Sequence, residues 1–328
     1  MQRAATIHDV AAAAGVSRQT VTRAMNAMPG INVDTRERVL AAARELSYRP
    51  SRFGRGLVKA DHRMLGLVLD DLTNPFYPQL ASAVTGAAGR AGWNVVLTDA
   101  THAVDREALL ADLSRQVDAV IGYLWLDPSV QARLFAGVPV VEIDPIRRQP
   151  LNGAVTFDLR PAMRDLVRHL TAHDVRRPLM VDQARPGERS GRAKVFASEL
   201  ERVGLGGDHV SIATGSTAGD LAAIGAALDA HTDADVVLVY NDLLALGVLG
   251  ALRHRGRRAP DDVRVVGIDG LSIGELVAPR LTTLALDMAE VGRSATELVL
   301  GMRAGELPLT GAAVRRKVRH RLLLRDSA

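Results

Sequence analysis

Four side chains with strong hydrogen-bonding capacity lie close together near the start of the chain: Arg18, Gln19, Thr22 and Arg23. At helical spacing they share the polar face of a short helix that Ser17 would cap. Arginine and glutamine have the geometry to read base edges in a major groove of DNA. The pattern therefore predicts a base-reading helix. The alternative is an ordinary helical hairpin with a solvated charged face.

The residues before this stretch predict the element that positions it. Thr6, with Asp9 three residues later, is typical of the start of a capped helix. Gly15 then falls where a tight connection between two helices needs a residue that tolerates a positive φ. Val21 and Met25 would face inward from the second helix. Helix, turn and helix together are the arrangement of a helix-turn-helix motif.

A third helix is predicted over about residues 34–47, with a capping box between Asp34 and Glu37. Pro50 prevents simple continuation of that helix. The next stretch is short and basic and contains Gly54 and Gly56, each of which disfavours a helix by about 0.8–1 kcal/mol relative to alanine. We therefore interpret residues 51–62 as a linker, or a weak hinge helix, behind a minimal three-helix domain of residues 1–50.

Charge is distributed unevenly along the 328 residues. Residues 1–60 hold ten basic and four acidic side chains, whereas the net charge of the whole chain is only +4, so the rest of the chain is slightly acidic. A basic head on a slightly acidic body is expected when only the head contacts nucleic acid.

From residue 63 onward, short apolar runs alternate with amphipathic stretches. Strands buried on both faces and separated by helices indicate an α/β fold with doubly wound parallel sheets. The runs are too many for one sheet, so two similar lobes with a cleft between them are predicted, with the chain crossing between lobes near residues 144–152. The predicted strands are 65–69, 95–98, 119–124, 138–143, 179–181, 210–213, 236–240 and 265–268. The predicted helices are 79–91, 106–116, 161–172, 194–203, 221–231 and 243–255.

Composition narrows the class of protein further. Hydrophobic residues make up 47% of the chain, enough for a sizeable core, and there are no cysteines, which excludes disulfides and thiolate chemistry. The amino-terminal residues lack the pattern of a signal peptide, and no apolar run approaches the roughly 18 residues of a membrane span. A cytoplasmic protein with no membrane partner is therefore expected.

Head and body together resemble the lactose-repressor/galactose-repressor family of transcription regulators, and the resemblance covers almost the whole chain. In the head it is carried by Thr6–Ala11, Ala14–Ser17, Thr20–Arg23, Asn26, Asp34–Val39 and Leu46–Pro50. In the body it is carried by Asp71–Tyr77, Gly137–Val141, Asn241-Asp242, Val265–Asp269, Pro279–Thr283 and Leu322–Ser327.

The resemblance implies a homodimer that binds a palindromic double-stranded DNA operator. The second helix of each head would lie in a major groove, while the linker would form a hinge helix whose Leu57 wedges into the minor groove. Arg18 and Gln19 would read bases, and the other contacts would mainly fix register on the backbone. The DNA-binding residues implied are Thr6, Ser17, Arg18, Gln19, Thr20, Thr22, Arg23, Asn26, Arg52 and Leu57.

The resemblance also implies that residues 63–328 form a two-lobed body, similar to periplasmic binding proteins, for dimerisation and for a small effector between the lobes. Carboxylates, amides and a guanidinium suit a polyhydroxylated ligand such as a sugar. Tyr240, Leu159 and Ser216-Thr217 depart from the family pattern; a sugar-stacking tryptophan replaces the last pair in some members. The effector-binding residues implied are Asp71, Asn74, Phe76, Tyr123, Asp158, Arg192, Asn241 and Asp269.

Two other classes of protein were weighed. An enzyme finds little support: His169 and His173 lie at i and i+4 without the glutamate of a zinc protease, and residues 214–219 lack the lysine of a phosphate loop. No metal site and no cofactor is therefore expected. A solute-binding protein for a transporter would share the two-lobed body, but the basic helical head argues against it. The sequence leaves open whether an effector would release or promote DNA binding.

Overall fold

The computed structural model describes residues 6–25, 28, 30–46, 63–145, 152–212 and 217–328. They belong to two compact units, divided between His62 and Arg63. The first unit is helical and the second is α/β. The predicted α/β fold with a helical head is therefore confirmed.

The head consists of three short helices around a small apolar core. As predicted, Gly15 ends the first helix with φ of +62°. The third helix differs from the prediction at its start: it begins at Val33, and the Asn32 side chain caps it by accepting a hydrogen bond from the backbone N–H of Asp34 at 3.0 Å. Asp34 thus lies inside the first turn. The helices are α1 (Ile7–Ala14), α2 (Arg18–Met25) and α3 (Val33–Glu45).

The first lobe of the body is a six-stranded, all-parallel sheet in the order β11-β5-β4-β3-β1-β2. Apolar clusters cover both of its faces, which explains why its central strands read as continuous apolar runs. Its elements are β1 (Met64–Leu69), α4 (Phe76–Arg90), β2 (Asn94–Asp99), α5 (Arg106–Ser114), β3 (Ala119–Gly122), α6 (Pro128–Leu134), β4 (Val140–Ile143), β5 (Gly153–Asp158), α11 (Met288–Arg303) and β11 (Arg315–Arg319).

The second lobe is another six-stranded sheet, in the order β12-β10-β9-β8-β6-β7, with only β12 antiparallel to its neighbour. Apolar clusters again lie on both faces. Its elements are α7 (Arg160–Ala172), β6 (Pro178–Gln183), α8 (Gly191–Glu201), β7 (Asp208–Ile212), α9 (Thr217–Ala230), β8 (Val236–Val239), α10 (Asp242–His254), β9 (Arg264–Asp269), β10 (Thr282–Ala285) and β12 (Arg321–Leu323).

The chain crosses between the lobes at three places. The predicted crossing near residues 144–152 is wrong, because β5 starts at Gly153 and pairs with β4 inside the first sheet. The first crossing instead follows Asp158, where the chain enters α7. The second follows β10 and leads into α11, which packs on α4. The third joins β11 to β12 around His320. The backbone N–H of His320 at the third crossing donates to the carbonyl of Asp158 at the first, at 3.0 Å. Three connections suit a hinge between two lobes.

The contact between α4 and α11 depends on the absence of a side chain at Gly292. A Cβ there would lie 2.6 Å from the carbonyl carbon of Ala83 on α4. We expect Gly292→Ala to force the helices apart and to lower the free energy of unfolding by about 1–3 kcal/mol, as overpacking does. Chemical denaturation of the full chain measures this loss.

Gly250→Ala is the matched control for that prediction. Gly250 lies inside α10, and nothing lies within 4 Å of the position that a Cβ would take. This variant should be neutral or more stable by about 0.5–1 kcal/mol, since alanine favours a helix over glycine. Equal losses in both variants would contradict the close-packing explanation.

Candidate DNA-reading and effector sites

The start of α2 is built as predicted. The hydroxyl of Ser17 accepts the backbone N–H of Thr20 at 3.1 Å and lies 2.9 Å from the Thr20 hydroxyl. At α1, the backbone N–H and the hydroxyl of Thr6 both donate to the Asp9 carboxylate at 2.7 Å. Arg38 of α3 donates to the carbonyl of Ala14 at 3.2 Å, which fixes α3 against the end of α1. These bonds fix the start of α2 and hold α1 and α3 in place around it.

One face of α2 brings five of the ten predicted DNA-contacting residues together. Ser17, Arg18, Gln19, Thr22 and Arg23 line a single surface cleft, with Met28 at its edge. The Thr22 hydroxyl donates to the carbonyl of Arg18 at 3.1 Å, so it is used within the helix. Within the described part of the chain, the side chains of Arg18 and Gln19 make no hydrogen bond, and both are exposed. The side chains of the two predicted base-reading residues are therefore available to bond to a partner.

The remaining predicted DNA contacts are placed differently. Thr6 lies at the start of α1, and Thr20 is half-buried beside Ser17. Asn26, Arg52 and Leu57 lie outside the described residues, as do the hinge glycines Gly54 and Gly56.

In the body, the polar residues collect at the carboxyl ends of the strands, where ligands bind in sheets of this kind. The centre of the group is Arg192, at the start of α8. Its guanidinium donates to the Asp269 carboxylate at 2.9 Å and to the carbonyl of Tyr240, and it lies over the Tyr240 ring at 4.6 Å from the ring centre. The aromatic residue that departs from the family pattern thus packs directly on the predicted ligand-binding arginine.

Two buried carboxylates lie beside this arginine. Asp269 is 3% exposed, and burial raises its pKa to about 7 against the opposing effect of Arg192, with Asp242 adding to the rise. Asp242 is fully buried and accepts hydrogen bonds from the Thr283 hydroxyl and from the backbone N–H of Leu271, both at 2.6 Å. Burial likewise raises the pKa of Asp242. Both groups are therefore held by donors from the second lobe.

The raised pKa of Asp269 makes stability depend on pH. The folded chain holds a proton on Asp269 that the unfolded chain, with an ordinary pKa of 3.8, has released, so its contribution falls as pH rises from about 4 to about 7. The loss amounts to at most ~4 kcal/mol, since one pKa unit is about 1.4 kcal/mol. Chemical denaturation of wild type and Asp269→Asn should show a stability difference that changes steeply between pH 5 and 7 and levels off above about 8. A difference independent of pH would contradict it.

The first lobe contributes aromatic and turn residues. Tyr123, directly after β3, is 8% exposed, and burial raises its pKa well above the usual value, with smaller effects from Tyr77, Asp269 and Arg192. Its ring packs edge-on against Tyr77, with centres 5.5 Å apart.

The other predicted effector residues have local partners. Asp71 accepts from the backbone N–H of Thr73 at 2.9 Å, and Asn74 accepts from that of Phe76 at 3.1 Å, as in ordinary turns. Phe76 itself is 7% exposed and belongs to the core of the first lobe. Its ring packs against Phe157 with centres 6.5 Å apart.

Asn241 and Asp158 also have structural partners. Asn241 is 5% exposed and caps α10 by accepting the backbone N–H of Leu244 at 2.8 Å. Asp158 ends β5 at the first crossing and accepts the backbone N–H of Arg160 at 3.3 Å. Its backbone carbonyl accepts from His320 at the third crossing. Desolvation lowers the pKa of His320 to about 4, so the crossing holds a neutral imidazole at ordinary pH.

A polar cluster at the carboxyl ends of β1 and β3 was not predicted from the sequence. Arg106 donates to the Asp70 carboxylate at 2.7 Å and to the carbonyls of Tyr123 and Leu124 at 2.7 and 2.9 Å. Trp125 donates from its indole nitrogen to the same Asp70 carboxylate. Asp70 is the first polar residue after β1, so its position beyond a buried strand was a usable signal. Nothing in the local sequence links it to Arg106 or Trp125.

The described residues were also compared with the requirements of a metal site and of a membrane-spanning helix. No group of three or more His, Asp or Glu side chains in this part of the chain could hold a metal ion. The rings of His169, on α7, and His173, directly after it, lie 4.3 Å apart, but no third ligand among the described residues joins them. Among the helices that the structure describes, none has the length and apolar character to cross a membrane.

A helix-turn-helix unit joined to a two-lobed α/β body with a polar cleft defines a class: DNA-binding transcription regulators with a ligand-binding type of domain. Comparison with known proteins gives the family. Residues 6–51 match the family of bacterial regulatory proteins called lacI, and residues 167–328 match the periplasmic binding protein-like domain. The chain belongs to the lacI family and is a transcription regulator of the repressor type, not an enzyme.

Three relatives illustrate the similarity. The ribose operon repressor of Halalkalibacterium halodurans is 30% identical over 305 residues, covering 90% of this chain and 89% of that protein. The crystal structure of a LacI family transcriptional regulator from Arthrobacter in complex with lactose is 34% identical, covers 81% of this chain and 98% of that one, and has a TM-score of 0.75. The regulator CelR in complex with cellobiose is 27% identical, covers 99% and 100%, and has a TM-score of 0.69.

Proposed function

We propose that this chain represses transcription as a homodimer bound to a palindromic operator, and that a sugar or sugar derivative in the cleft controls its affinity for DNA. Residues 1–50 would form the DNA-binding domain, 51–62 the hinge, and 63–328 the effector-binding and dimerisation body. The observation that carries the DNA part is the face of α2, where Arg18 and Gln19 are exposed and make no hydrogen bond to the described residues.

In the head, we assign base reading to Arg18 and Gln19. Arg18 has the fork of donors that suits the O6 and N7 atoms of a guanine. Arg23 would contact a base or a phosphate, and Ser17, Thr20 and Thr22 would lie against the DNA backbone, as would Thr6. Asn26, Arg52 and Leu57 keep the roles that the family resemblance implies.

In the body, we assign the effector to the cleft around Arg192. Arg192 and Asp269 would exchange part of their mutual bonding for hydroxyl groups of the ligand, since a guanidinium donates and a carboxylate accepts. Asn241, Asp71 and Asn74 would bind ligand hydroxyls with the hydrogen-bonding groups that their turns and caps do not use. Phe76, Tyr123 and Asp158 would shape the cleft. Two relatives of similar architecture are named as complexes with lactose and with cellobiose, which supports a sugar.

Control of DNA affinity would follow from thermodynamic linkage. A ligand that binds more tightly to one arrangement of the two lobes shifts the population toward that arrangement. In a dimer held together by α4 and the segment after Ser272, this shift would change the spacing of the two heads and hence operator affinity. The three crossings between the lobes would act as the hinge that such a change requires.

Selection of bound duplexes from a random DNA pool tests the DNA part of this proposal. The full chain should enrich a palindrome, and binding should weaken steeply as salt rises, because phosphate neutralisation dominates the affinity. A variant lacking residues 1–60 should enrich nothing. Enrichment without symmetry would contradict the dimer, and binding that is insensitive to salt would contradict DNA recognition by a basic head.

A further inference from the structure

We propose that the pocket beside Trp125 binds a second sugar ring, so that the effector is a disaccharide or a larger glycoside. This inference rests on the proposed control by a sugar and adds a subsite in the first lobe. Its residues are Trp125, Tyr123, Glu142, Asp127 and Pro145, and we call it the Trp125 pocket.

The Trp125 side chain is exposed and yet held rigidly. It is 47% exposed, which is unusual for a tryptophan this close to a buried strand, and its φ is +49°. A bulky residue with this backbone geometry is strained, and such strain persists only where the surroundings determine it, often at ligand clamps. Here Asp70 accepts the indole N–H, and Arg106 fixes Asp70 at 2.7 Å.

The preceding glycine belongs to the same arrangement. Gly122 has φ of +145°, and a Cβ there would lie 2.1 Å from the carbonyl oxygen of Val68 on the adjacent strand β1. Only glycine lets β3 lie this close to β1 and turn immediately into the aromatic segment. The backbone that presents Trp125 is therefore set by its sequence and does not require a ligand to form.

The exposed indole borders a pocket of about 450 Å³. This volume lies within the range of small-molecule sites. Glu142, half-buried on β4, borders it with a carboxylate, and Pro145 adds an apolar edge. Asp127 borders it too, but its carboxylate caps α6 by accepting from the backbone N–H and the hydroxyl of Ser129 at 2.9 and 2.7 Å. An aromatic face with a carboxylate beside it matches a sugar ring, whose C–H face is apolar and whose hydroxyls donate hydrogen bonds.

The pocket lies at the same carboxyl edge of the first sheet as the predicted effector residues of that lobe. The rings of Tyr123 and Trp125 are stacked, with centres 5.9 Å apart and planes 19° from parallel. Both residues follow β3 and Pro145 follows β4, as Asp71 and Asn74 follow β1, and the carboxyl ends of parallel strands lie at one edge of a sheet. Since Tyr123 is itself a predicted effector residue, one ring would lie in the Arg192 cluster and the next against Trp125.

The sequence supports this placement of the aromatic platform. This chain has only two tryptophans, Trp93 and Trp125. Trp93 precedes β2 at the amino end of the first sheet and packs against the core of that lobe, at the opposite end from the cleft. Trp125 is thus the tryptophan available to a ligand.

The two tryptophans also provide the experiment. In a Trp93→Phe variant of the full chain, fluorescence reports on Trp125 alone, and in Trp125→Phe it reports on Trp93 alone. We expect lactose or cellobiose, or another disaccharide of a common panel, to change the fluorescence of Trp93→Phe saturably and to leave that of Trp125→Phe unchanged.

Calorimetric titration then separates the two rings. Trp125→Ala should weaken disaccharide binding at least about tenfold, while binding of the matching monosaccharides, glucose and galactose, changes less than about twofold. Glu142→Gln keeps the shape of the pocket and should weaken the disaccharide several-fold, which tests the pocket even if Trp125→Ala does not fold. Equal binding of the disaccharide by wild type and both variants would overturn the inference.

A thermal-shift screen of the wild type distinguishes this inference from the proposed function. If monosaccharides raise the melting temperature and no disaccharide does so further, the Trp125 pocket is not a sugar subsite, although control by a sugar stands. If a nucleoside and no disaccharide changes the fluorescence of Trp93→Phe saturably, the assignment of a second sugar ring to the Trp125 pocket is wrong. If no sugar of either kind shifts the melting temperature, the proposed sugar control fails, and this inference fails with it.

Discussion

Replacing Arg18 by alanine is expected to weaken operator binding by about 10- to 100-fold for each half-site and to relax the preference at one base pair. The reason is that Arg18 is exposed on α2 and, within the described residues, has no competing hydrogen bond. A bidentate contact between arginine and guanine contributes about 1–3 kcal/mol of discrimination. Affinity for the selected duplex and for its single-base variants measures both effects.

Arg44→Ala is the charge-matched control. Arg44 is exposed near the end of α3, so its removal takes away the same charge from the same unit. It should weaken binding to all sequences alike and reduce the salt dependence slightly, as loss of a phosphate contact does. If Arg18→Ala also weakened all sequences equally, Arg18 would be a phosphate contact and the assignment of base reading would be wrong.

Replacing Arg192 by alanine is expected to reduce sugar affinity about 10- to 100-fold, because a hydrogen bond to a charged group contributes about 1.5–3 kcal/mol. The same change leaves Asp269 buried without its charged partner. Removing one partner of a buried ion pair lowers stability by about 3–5 kcal/mol. Since Asp269 can take up a proton instead, the loss of stability should be large at pH 8 and much smaller at pH 5. Denaturation at both pH values measures it.

Arg192→Lys is the companion variant. It keeps the charge and therefore most of the stability, but it loses the planar fork that reaches Asp269 and the Tyr240 carbonyl together. Sugar affinity should thus stay low while stability recovers. Full sugar affinity in either variant would place the effector elsewhere than around Arg192.

Much of the fold follows from local sequence patterns, and what could not be predicted depends on distant partners. All eight apolar runs became strands. The central ones are nearly continuous in Val, Leu and Ile because they are buried on both faces, whereas the edge strands β2 and β7 are only partly buried. β11 was missed because it is an edge strand with the sequence RRKVR, in which only Val318 is buried. The crossing at Asp158 could not be predicted either. It depends on the pairing of β5 with β4, and the sequence of residues 144–152 gives no sign of that pairing.

The candidate sites divide in the same way. The exposed face of α2 follows from helical spacing and a serine cap, both local features. The meeting of Arg192, Asp269 and Tyr240 was anticipated only by resemblance, because the three come from three different elements. The cluster of Asp70, Arg106 and Trp125 was missed for the same reason: no periodicity connects the ends of β1, α5 and β3.

Binding of a sugar in the cleft is expected to change the affinity of the head for DNA. The most direct measurement is titration of the selected operator duplex with the full chain, with and without a saturating sugar that binds the wild type, at one salt concentration. Operator affinity should change by about 5- to 150-fold, which corresponds to a typical coupling free energy of about 1–3 kcal/mol. By linkage, the operator should change sugar affinity by the same factor. A sugar that binds tightly in the cleft and leaves operator affinity unchanged would rule out this mode of control.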